Sequence, residues 1–500
     1  MLAFDVDAWL EPHALTLGFS VDKLKLVICL LAAYLISFGH KMLPSPTTKH
    51  LYSATAGFLF GIFCFGLTQM ALPLAMAIPV YALSFVPNPK VPLVSFVFCL
   101  FFMCICHMVR QYYDYGGYTL DVTGPLMILT TKLTAYAFTV ADGRRFEKCT
   151  PDQQKYATRQ VPSVLEFAGF VFFYGGFLSG PGIEFQDYMR FTNLTVFPNG
   201  KIPSTIKPAL MRFLAGIFFM VSVVLAGQFI PNMYIKTAEF QNDRSFFFKV
   251  FYVITGVASS RLPYYFAWIM AEGGCVAAGL GYNGVDKSGQ IQWNGVANVN
   301  PIAIETATSF KVVIDNWNIN TSNWLRRYVY ERLTPAGKKA PLYVTVATYM
   351  TSAFWHGFYP GYYLTFACGA LVTETARNLR RRFRPLVMEA DGKTPKPTKV
   401  AYDAAGWFVT QFTLDYICAA FIILTIEDSL NFYESIYFCG HIGIALAMLY
   451  FNQVAKQERA AAKRAAREAK DGAAPVAAPA TTAASPVAAS SPVTRSRKAD

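Results

Sequence analysis

The chain has 500 residues, of which 54% are hydrophobic and only 15% are charged. Ordinary soluble domains carry roughly a quarter charged residues, so this composition excludes a series of soluble domains and indicates one multi-pass membrane protein. The 43 Phe, 28 Tyr and 7 Trp residues exclude disorder as the main state. A soluble nucleic-acid-binding protein is disfavoured despite the formal charge of +13, because the basic excess lies in short segments between apolar ones. We expect an all-α transmembrane fold.

Apolar segments separated by Gly, Pro and charged residues predict about 11 transmembrane spans, since a helix needs about 20 apolar residues to cross a hydrocarbon core of roughly 30 Å. The segment 73–86 is short and begins at Pro73, which is typical of half of a broken helix. The segment 341–376 is too long for one crossing and contains Pro360-Gly361, which predicts two helices meeting at a break inside the membrane. The predicted spans are residues 24–38, 51–70, 73–86, 91–109, 120–140, 164–178, 209–230, 246–270, 341–376, 405–426 and 432–451.

The predicted transmembrane domain covers residues 1–451, and two segments of different composition follow it. Residues 452–470 combine Ala with Lys, Arg and Glu and predict a solvated basic helix, whereas the Ala/Pro/Ser-rich residues 471–500 predict a disordered tail. Within the domain, the polar and Gly/Asn-rich stretch 271–340 predicts a long loop with short helices. One of these is a mixed apolar and polar helix over residues 301–314.

Basic segments indicate which loops face the cytosol. Residues 377–399 contain eight Lys/Arg against two acids, and residues 456–470 contain six against two. The positive-inside rule therefore predicts that both segments, and with them the C-terminal tail, are cytosolic. Two spans lie between them, and this even number agrees with that placement. The basic block around Arg326 and Arg327 lies on the same side only if 341–376 enters the membrane and returns.

His356 is the ionisable residue that stands out within a predicted span. It has no charged neighbour in sequence. An ionisable side chain at membrane depth is more often functional than not, although a hydrogen-bonded packing role stays open. Burial favours the neutral imidazole, which can accept a proton from a hydroxyl group. His356 is therefore a candidate general base.

A second candidate lies in the segment 314–327, where four Asn residues, Asn318 among them, stand between and beside two Trp residues. This composition is unusual for packing, but an interfacial loop with Trp anchors is an equally good interpretation. The six histidines show no metal-ligand spacing, so no metal site is expected. Cys106-His107 could form a thiolate pair, but adjacent residues of a helix point to different sides, which favours a structural role.

Several motifs, taken together and in order, resemble those of the membrane-bound O-acyltransferase family. The sequence WHGFYPGY at 355–362 is similar to the WHGxxPGY motif of the lysophospholipid acyltransferase branch of that family. Upstream, SGPGIEF at 179–185 resembles its Gly-Pro segment. RLPYYFAW at 261–268 and GYNG at 281–284 are similar to its RxxYYFAW and GxGFNG stretches. The resemblance covers roughly residues 20–450 and is to a fungal-type member.

One further match and one departure concern the polar loop. Trp317-Asn318, with Thr321 and Trp324, looks like the segment that holds the family's second catalytic residue, an Asn. Where several members of the family have Trp-Asp, this chain has Trp293-Asn294. No acidic role is therefore carried over to that position.

The resemblance implies an enzyme of the endoplasmic reticulum membrane that transfers a fatty acyl group from acyl-CoA to the free hydroxyl of a lysophospholipid inside a buried tunnel. Acyl-CoA is then a co-substrate, no cofactor is expected, and the partners are acyl-CoA, lysophospholipid and membrane lipids. His356 would act as general base and Asn318 would hold the thioester carbonyl or orient the attacking group. The residues implied to line the substrate site are Trp317, Thr321, Trp355, Gly357, Gly361 and Tyr362. Arg326 and Arg327 are candidates for the CoA phosphates, with anionic lipid headgroups as equally plausible partners.

Three other functions stay open at the level of sequence. A transporter with His356 in a proton relay is disfavoured because neither paired intramembrane carboxylates nor repeat symmetry is visible. A non-catalytic lipid scaffold is a second alternative. Acylation of a sterol, a diacylglycerol or a protein is the third, although the YYFAW and GYNG segments favour a lysophospholipid acceptor. Headgroup preference, acyl-chain preference and oligomeric state are not specified by the sequence.

Overall fold

In the computed structural model, which describes residues 5–117, 119–335, 337 and 340–471, the chain folds into helices joined by turns. The all-α prediction is confirmed, because the β pairing within these residues amounts to two isolated bridges. The α-helices are α1 Val6–Leu17, α2 Val21–Met42, α3 Pro46–Gln69, α4 Ala71–Leu83, α5 Val91–Tyr113, α6 Thr123–Arg144, α7 Pro151–Tyr156, α8 Val164–Val171, α9 Phe185–Thr192, α10 Ile206–Phe229, α11 Phe246–Tyr252, α12 Leu262–Ala278, α13 Pro301–Glu305, α14 Phe310–Asn316, α15 Ile319–Leu325, α16 Glu331–Leu333, α17 Leu342–His356, α18 Pro360–Phe383, α19 Lys399–Ile423, α20 Ile426–Ser435 and α21 Cys439–Asp471. Short 3-10 turns lie at Phe146–Lys148, Pro198–Gly200, Asn232–Lys236 and Arg384–Val387, and π-helical turns at Glu239–Asp243, Val253–Val257 and Arg326–Tyr330.

By compactness the chain divides into two units, with the boundary after Ala445. The first unit contains α1 to α20 and the beginning of α21. The described part of the second unit is the remainder of α21, so the segment predicted as a basic helix, 452–470, is helical. The predicted tail, apart from Asp471 at the end of α21, lies outside the described residues.

Four helical segments of the described chain are long and apolar enough to cross a membrane. They are Pro46–Gln69, Val91–Tyr113, Ile206–Lys236 and Lys399–Ile423, and the bent pair of α20 and α21 is a fifth candidate. The predicted count of 11 is not confirmed by this criterion.

Helix α10, one of these segments, has an exposed apolar surface. It buries only Ala209 and Gly216 and exposes large apolar side chains such as Leu210, Leu214 and Phe218. A continuous exposed apolar helix surface of this length is typical of contact with lipid.

Two predicted spans are not the single continuous helices that their apolar composition suggested. The span 164–178 is helical only to Val171, because the Nζ of Lys132 donates hydrogen bonds to the carbonyl oxygens of Phe170 (2.5 Å) and Val171 (3.2 Å). These carbonyls therefore do not need a following helical turn. The span 246–270 is interrupted by the π-helical turn, and α12 begins afresh with a proline in its first turn.

The described part of the predicted loop 271–340 contains short helices as expected, but the prediction is wrong at two places: α12 continues to Ala278, and residues 301–314 do not form one helix. The predicted single helix there is wrong, because α13 ends at Glu305. The side chains of Gln411 and Trp407 on α19 donate to the carbonyl oxygens of Ile304 and Glu305, each at 2.8 Å. These bonds satisfy the carbonyls at the end of α13 and allow the chain to turn.

The break predicted near Pro360 is confirmed. Helix α17 ends at His356, and α18 begins at Pro360, where a proline is favourable because the first helical N–H needs no partner. Helix α17 packs against α18, and α18 packs against α19. The residues of the break therefore lie between three packed helices.

Candidate active site

His356 is the last residue of α17, and the backbone around it depends on two glycines. Gly357 has φ 121° and ψ −157°, a conformation that favours glycine because a Cβ would be strained there. Gly361 lies where α18 meets α19, and its N–H donates to the carbonyl of Leu424 at 2.9 Å. A Cβ on Gly361 would stand 2.0 Å from the carbonyl oxygen of Ala420. The two glycines of the WHGFYPGY motif thus permit a tight turn directly after His356.

The imidazole of His356 lies in an aromatic surrounding. Its ring stacks on Phe366 with centroids 5.3 Å apart, meets Phe421 edge-on at 5.0 Å and lies 5.8 Å from the ring of Tyr362. The side chain of His356 is half-buried. Among the described residues, none forms a hydrogen bond with either ring nitrogen of His356. Both nitrogens are therefore available to a substrate.

Asn318 differs from its two neighbouring asparagines. The Nδ2 of Asn316 donates to the carbonyl of Val312 at 2.8 Å, and the amide of Asn320 is held by the side chain of Asn298 at 2.9 Å. Asn318 stands at the start of α15 in the left-handed region, with φ 44° and ψ 54°, which Asn tolerates better than most residues. Its side-chain amide forms no hydrogen bond within the described part of the chain. Of the three amides, that of Asn318 is the one left for a ligand.

The helices that carry Asn318 and His356 share a common support. Helix α15 packs against both α6 and α17. Trp324 of α15 donates to the hydroxyl oxygen of Thr134 at 2.8 Å, and Trp355 of α17 donates to the carbonyl of Met127 at 2.9 Å. Both acceptors lie on α6, and the two indole rings are 6.5 Å apart. Two segments that are distant in sequence are thereby held against one helix.

The other residues predicted to line the substrate site fall into two groups. Trp355, Gly357 and Gly361 are buried, and they shape the turn through the contacts described above. Trp317 packs against Trp268 of the RLPYYFAW segment at 5.0 Å, which joins two of the sequence motifs. Tyr362 lies beside His356 and faces the same aromatic cluster. Thr321 is half-buried on α15. Their contacts with substrate stay predictions.

The two arginines predicted to bind CoA phosphates have different surroundings. Arg326 is exposed and pairs with Glu331 at 2.8 Å. Arg327 is mostly buried, and its guanidinium donates to Asp152 (3.1 Å), Glu184 (3.0 Å) and the hydroxyl of Tyr156 (3.1 Å). Because each nitrogen of Arg327 already has a protein partner, this residue is better suited to holding the fold than to binding a phosphate. Phosphate binding by either residue stays a prediction.

Glu184 is a residue whose importance the sequence did not indicate. It belongs to the SGPGIEF segment and accepts hydrogen bonds from Arg327 and, at 2.9 Å, from the hydroxyl of Tyr328. Burial raises the pKa of Glu184, and the positive charge of Arg327 opposes that rise. The contact connects the Gly-Pro segment to the π-helical turn that follows α15. Its only signal in the sequence was its place as the one acid within the SGPGIEF segment.

An ionic cluster, in which Arg261 and Asp415 are buried and Glu305 is exposed, connects the RLPYYFAW segment to α19. The guanidinium of Arg261 pairs with Asp415 on α19 and donates to both carboxylate oxygens of Glu305, at 2.9 and 2.6 Å. The hydroxyl of Tyr265 donates to Glu305 at 2.6 Å. Such a cluster is costly to break, because removing one partner leaves a buried charge unpaired. The sequence alone did not single out Glu305 or Asp415.

Helical segments suited to crossing a membrane, together with a histidine whose ring nitrogens accept or donate no hydrogen bond among the described residues, define an integral membrane protein with a candidate acid-base site. The sequence model described as MBOAT, membrane-bound O-acyltransferase family, matches residues 108–419, which is more than half of the chain.

Similar proteins agree with this match over most of their length. The chain is 33% identical over 462 residues to the lysophospholipid acyltransferase of Schizosaccharomyces pombe, which covers 90% of each chain. It is 34% identical to the membrane-bound glycerophospholipid O-acyltransferase 2 of Gallus gallus, over 88% of this chain and 87% of the other. It is 32% identical to the lysophospholipid acyltransferase of Saccharomyces cerevisiae, over 89% and 76%. The protein belongs to the membrane-bound O-acyltransferase family and is an acyltransferase integral to a membrane.

Proposed function

We propose that this protein is a lysophospholipid acyltransferase that uses acyl-CoA as donor. The observation that carries the proposal is His356, which is enclosed by aromatic rings at the break between α17 and α18 and has both ring nitrogens free of hydrogen bonds to the described residues. The printed names of the similar fungal and animal proteins support a lysophospholipid or glycerophospholipid substrate.

In the proposed mechanism, His356 accepts the proton of the acceptor hydroxyl while the hydroxyl oxygen attacks the thioester carbonyl carbon. A new C–O bond forms, the C–S bond breaks, and the protonated His356 returns its proton to the CoA thiolate. General base assistance of this kind contributes roughly 10² to 10⁴ in rate. The products are a phospholipid with two acyl chains and free CoA, so the reaction is balanced.

Asn318 assists in this mechanism by donating its amide hydrogens to the thioester carbonyl oxygen as negative charge develops there. A neutral amide is suited to that task, because a cationic donor would be costly to desolvate within the membrane. The left-handed backbone at Asn318 and its unoccupied amide support this role.

The acyl group passes directly from donor to acceptor, with both substrates bound together. Neither His356 nor Asn318 is a usual carrier of an acyl group. Alignment of two bound substrates can supply roughly 7 to 11 kcal/mol of the barrier, which is more than proton transfer alone provides.

The proposed location is the endoplasmic reticulum membrane, with the basic segments 377–399 and 456–470 in the cytosol. The positive-inside rule supports this orientation. CoA is a polyanion supplied from the cytosol, so an active-site entrance on the basic side would favour its arrival.

The decisive experiment is a panel of acyl-CoA donors and lysophospholipid acceptors on membranes that contain the protein, with His356→Gln as the test variant. Gln keeps a polar side chain but cannot act as a base, so transfer should fall by roughly 10² or more. His441→Gln is the matched control, because both nitrogens of His441 already have partners, the hydroxyl of Tyr416 and the thiol of Cys368. This control should keep its activity per folded molecule.

Two results would contradict the proposal. Transfer to a sterol, a diacylglycerol or a peptide without transfer to any lysophospholipid would show that the acceptor is wrong. Full activity of His356→Gln would show that the base is wrong.

A second series tests the asparagine. Asn318→Ala should lower transfer nearly as much as the loss of His356, whereas Asn316→Ala, which removes only a bond to Val312, should be milder. Asn320→Ala should lower thermal stability, since it releases Asn298, but its folded fraction should keep transferring. Greater sensitivity at Asn316 than at Asn318 would refute the assigned role.

A further inference from the structure

His107 contacts the turn that presents His356. It lies on α5, and its side chain is buried. Its Nε2 is 3.1 Å from the carbonyl oxygen of Trp355, the residue before His356. A carbonyl oxygen can only accept a hydrogen bond, so Nε2 carries the proton and donates.

This hydrogen bond lies at a place where a helix needs one. The last carbonyl groups of a helix have no partner within it, and Trp355 is the penultimate residue of α17. The chain leaves the helix at Gly357, so the next turn cannot supply an N–H to the carbonyl of Trp355. The imidazole of His107 supplies that donor from a neighbouring helix.

The ring of His107 also lies against Gly357 on the other side of His356. A Cβ built on Gly357 would be 3.3 Å from Cγ and 3.4 Å from Nδ1 of His107. The residues immediately before and after His356 are therefore both in contact with one imidazole. Little freedom is left for the backbone that sets the direction of the His356 side chain.

The loop after α5 holds the far end of the same turn. The N–H of Gly116 donates to the hydroxyl oxygen of Tyr359 at 2.8 Å. Arg110, one helical turn after His107, donates to the carbonyl of Thr119 (2.8 Å) and the hydroxyl of Thr123 (3.0 Å) and so orders this loop. Helix α5 and the loop after it therefore contact the turn at both ends, near Trp355 and at Tyr359.

We propose that His107 is a positioning residue for His356. Its hydrogen bond to Trp355 and its contact with Gly357 set the angle at which the His356 ring enters the aromatic surrounding. His107 does not touch the reacting atoms. The inference rests on the proposed function for its kinetic readout only.

Three variants separate positioning from bulk packing. His107→Leu removes the donor, and His107→Gln keeps an amide N–H near the position of Nε2 without a titrating group. Tyr81→Phe is the matched control, because it removes another side-chain hydrogen bond to a backbone carbonyl, that of Pro162 at 2.8 Å. All are measured in the full-length protein, with rates divided by the folded fraction.

His107→Leu should lower kcat by about 30- to 100-fold with little change in KM for either substrate, since a misplacement of about 1 Å in a catalytic group can cost on the order of 10². Tyr81→Phe should leave kcat unchanged at a similar loss of thermal stability. His107→Gln should recover most of the kcat, and its pH profile should keep the acidic limb of the wild-type protein, because His356 is the titrating base.

A second readout does not need the transfer reaction. The rate at which diethyl pyrocarbonate modifies His356, followed by peptide mass spectrometry, should change several-fold in His107→Leu. It should match the wild-type rate in His107→Gln and Tyr81→Phe.

Distinct outcomes overturn the inference. An unchanged kcat or an unchanged modification rate of His356 in His107→Leu would refute positioning, and so would a His107→Gln variant as impaired as His107→Leu. Loss of the acidic limb in His107→Gln would make His107 the base itself. If His356→Gln remains fully active, the proposed catalytic role fails instead, and the modification rates still decide the role of His107.

Discussion

Replacing Gly361 by Ala tests how closely the packing of α18 on α19 determines activity. The added Cβ would lie 2.0 Å from the carbonyl oxygen of Ala420 and 3.1 Å from the Cα of Leu424. An ordinary van der Waals contact is roughly 3.5 Å, so the two helices must move apart by about 1.5 Å. Forced overpacking of this kind typically costs about 1 to 3 kcal/mol.

The displacement also reaches the site, because the two helices carry the rings that surround His356. Phe366 lies on α18 and Phe421 on α19. We therefore expect Gly361→Ala to lower the melting temperature and, per folded molecule, to lower acyl transfer by on the order of 10².

The assay combines thermal unfolding of the purified protein in detergent with the transfer rate of the folded fraction. Gly227→Ala on α10 is the control, since a Cβ there meets nothing within 4 Å. In a helix, Ala is favoured over Gly by up to about 1 kcal/mol, so this variant should be neutral or slightly more stable. If Gly361→Ala behaves like Gly227→Ala in both measurements, the close approach of the two helices is not a determinant of the site.

Three further predictions concern parts of the chain outside the turn. Arg327→Ala should lower the free energy of unfolding by about 3 kcal/mol in a thermal unfolding assay, because it leaves Glu184 buried without its cation. Arg326→Ala should leave the stability unchanged. A rise in KM for acyl-CoA with unchanged stability in either variant would instead support phosphate binding. Deleting residues 472–500 should leave the specific activity of inserted protein unchanged, since a Pro/Ala/Ser segment cannot pack a core, and a large loss would contradict this. Labelled acyl-CoA without acceptor should leave no label on the denatured chain, and the reaction should survive replacement of the candidate thiols; stoichiometric label or ping-pong kinetics would refute direct transfer. Those thiols are Cys104, Cys106, Cys275 and Cys368.

Composition and local pattern were sufficient to predict the helical class and to select His356 as a candidate. The low charge and the long apolar segments indicate membrane helices whatever their partners, because the cost of exposing apolar side chains to water depends on area. The break at Pro360-Gly361 can also be predicted from local sequence, since proline has no backbone N–H and its ring clashes with the preceding helical turn. His356 was recognisable because an ionisable group in an apolar segment is costly wherever the segment packs.

Other features depended on partners that are distant in the chain. Helix α8 ends at Val171 because Lys132 binds its last carbonyls, and α13 ends at Glu305 because Gln411 and Trp407 bind its own. Neither donor is close in sequence to the helix that it ends, so local periodicity predicted longer helices in both places.

The WHGFYPGY motif identified the residues of the turn but not the residues elsewhere in the chain that contact it. The sequence favoured a structural role for His107, which also lies in an apolar span, but nothing in the sequence connects it to Trp355. Likewise, the sequence showed Arg327 only as part of a basic block. Its contacts with Glu184 and Asp152 are visible only in the fold. Residue type and spacing specify which groups can accept a proton or carry a charge. Which of them remain free for a substrate depends on the hydrogen-bond partners that tertiary packing brings within about 3 Å.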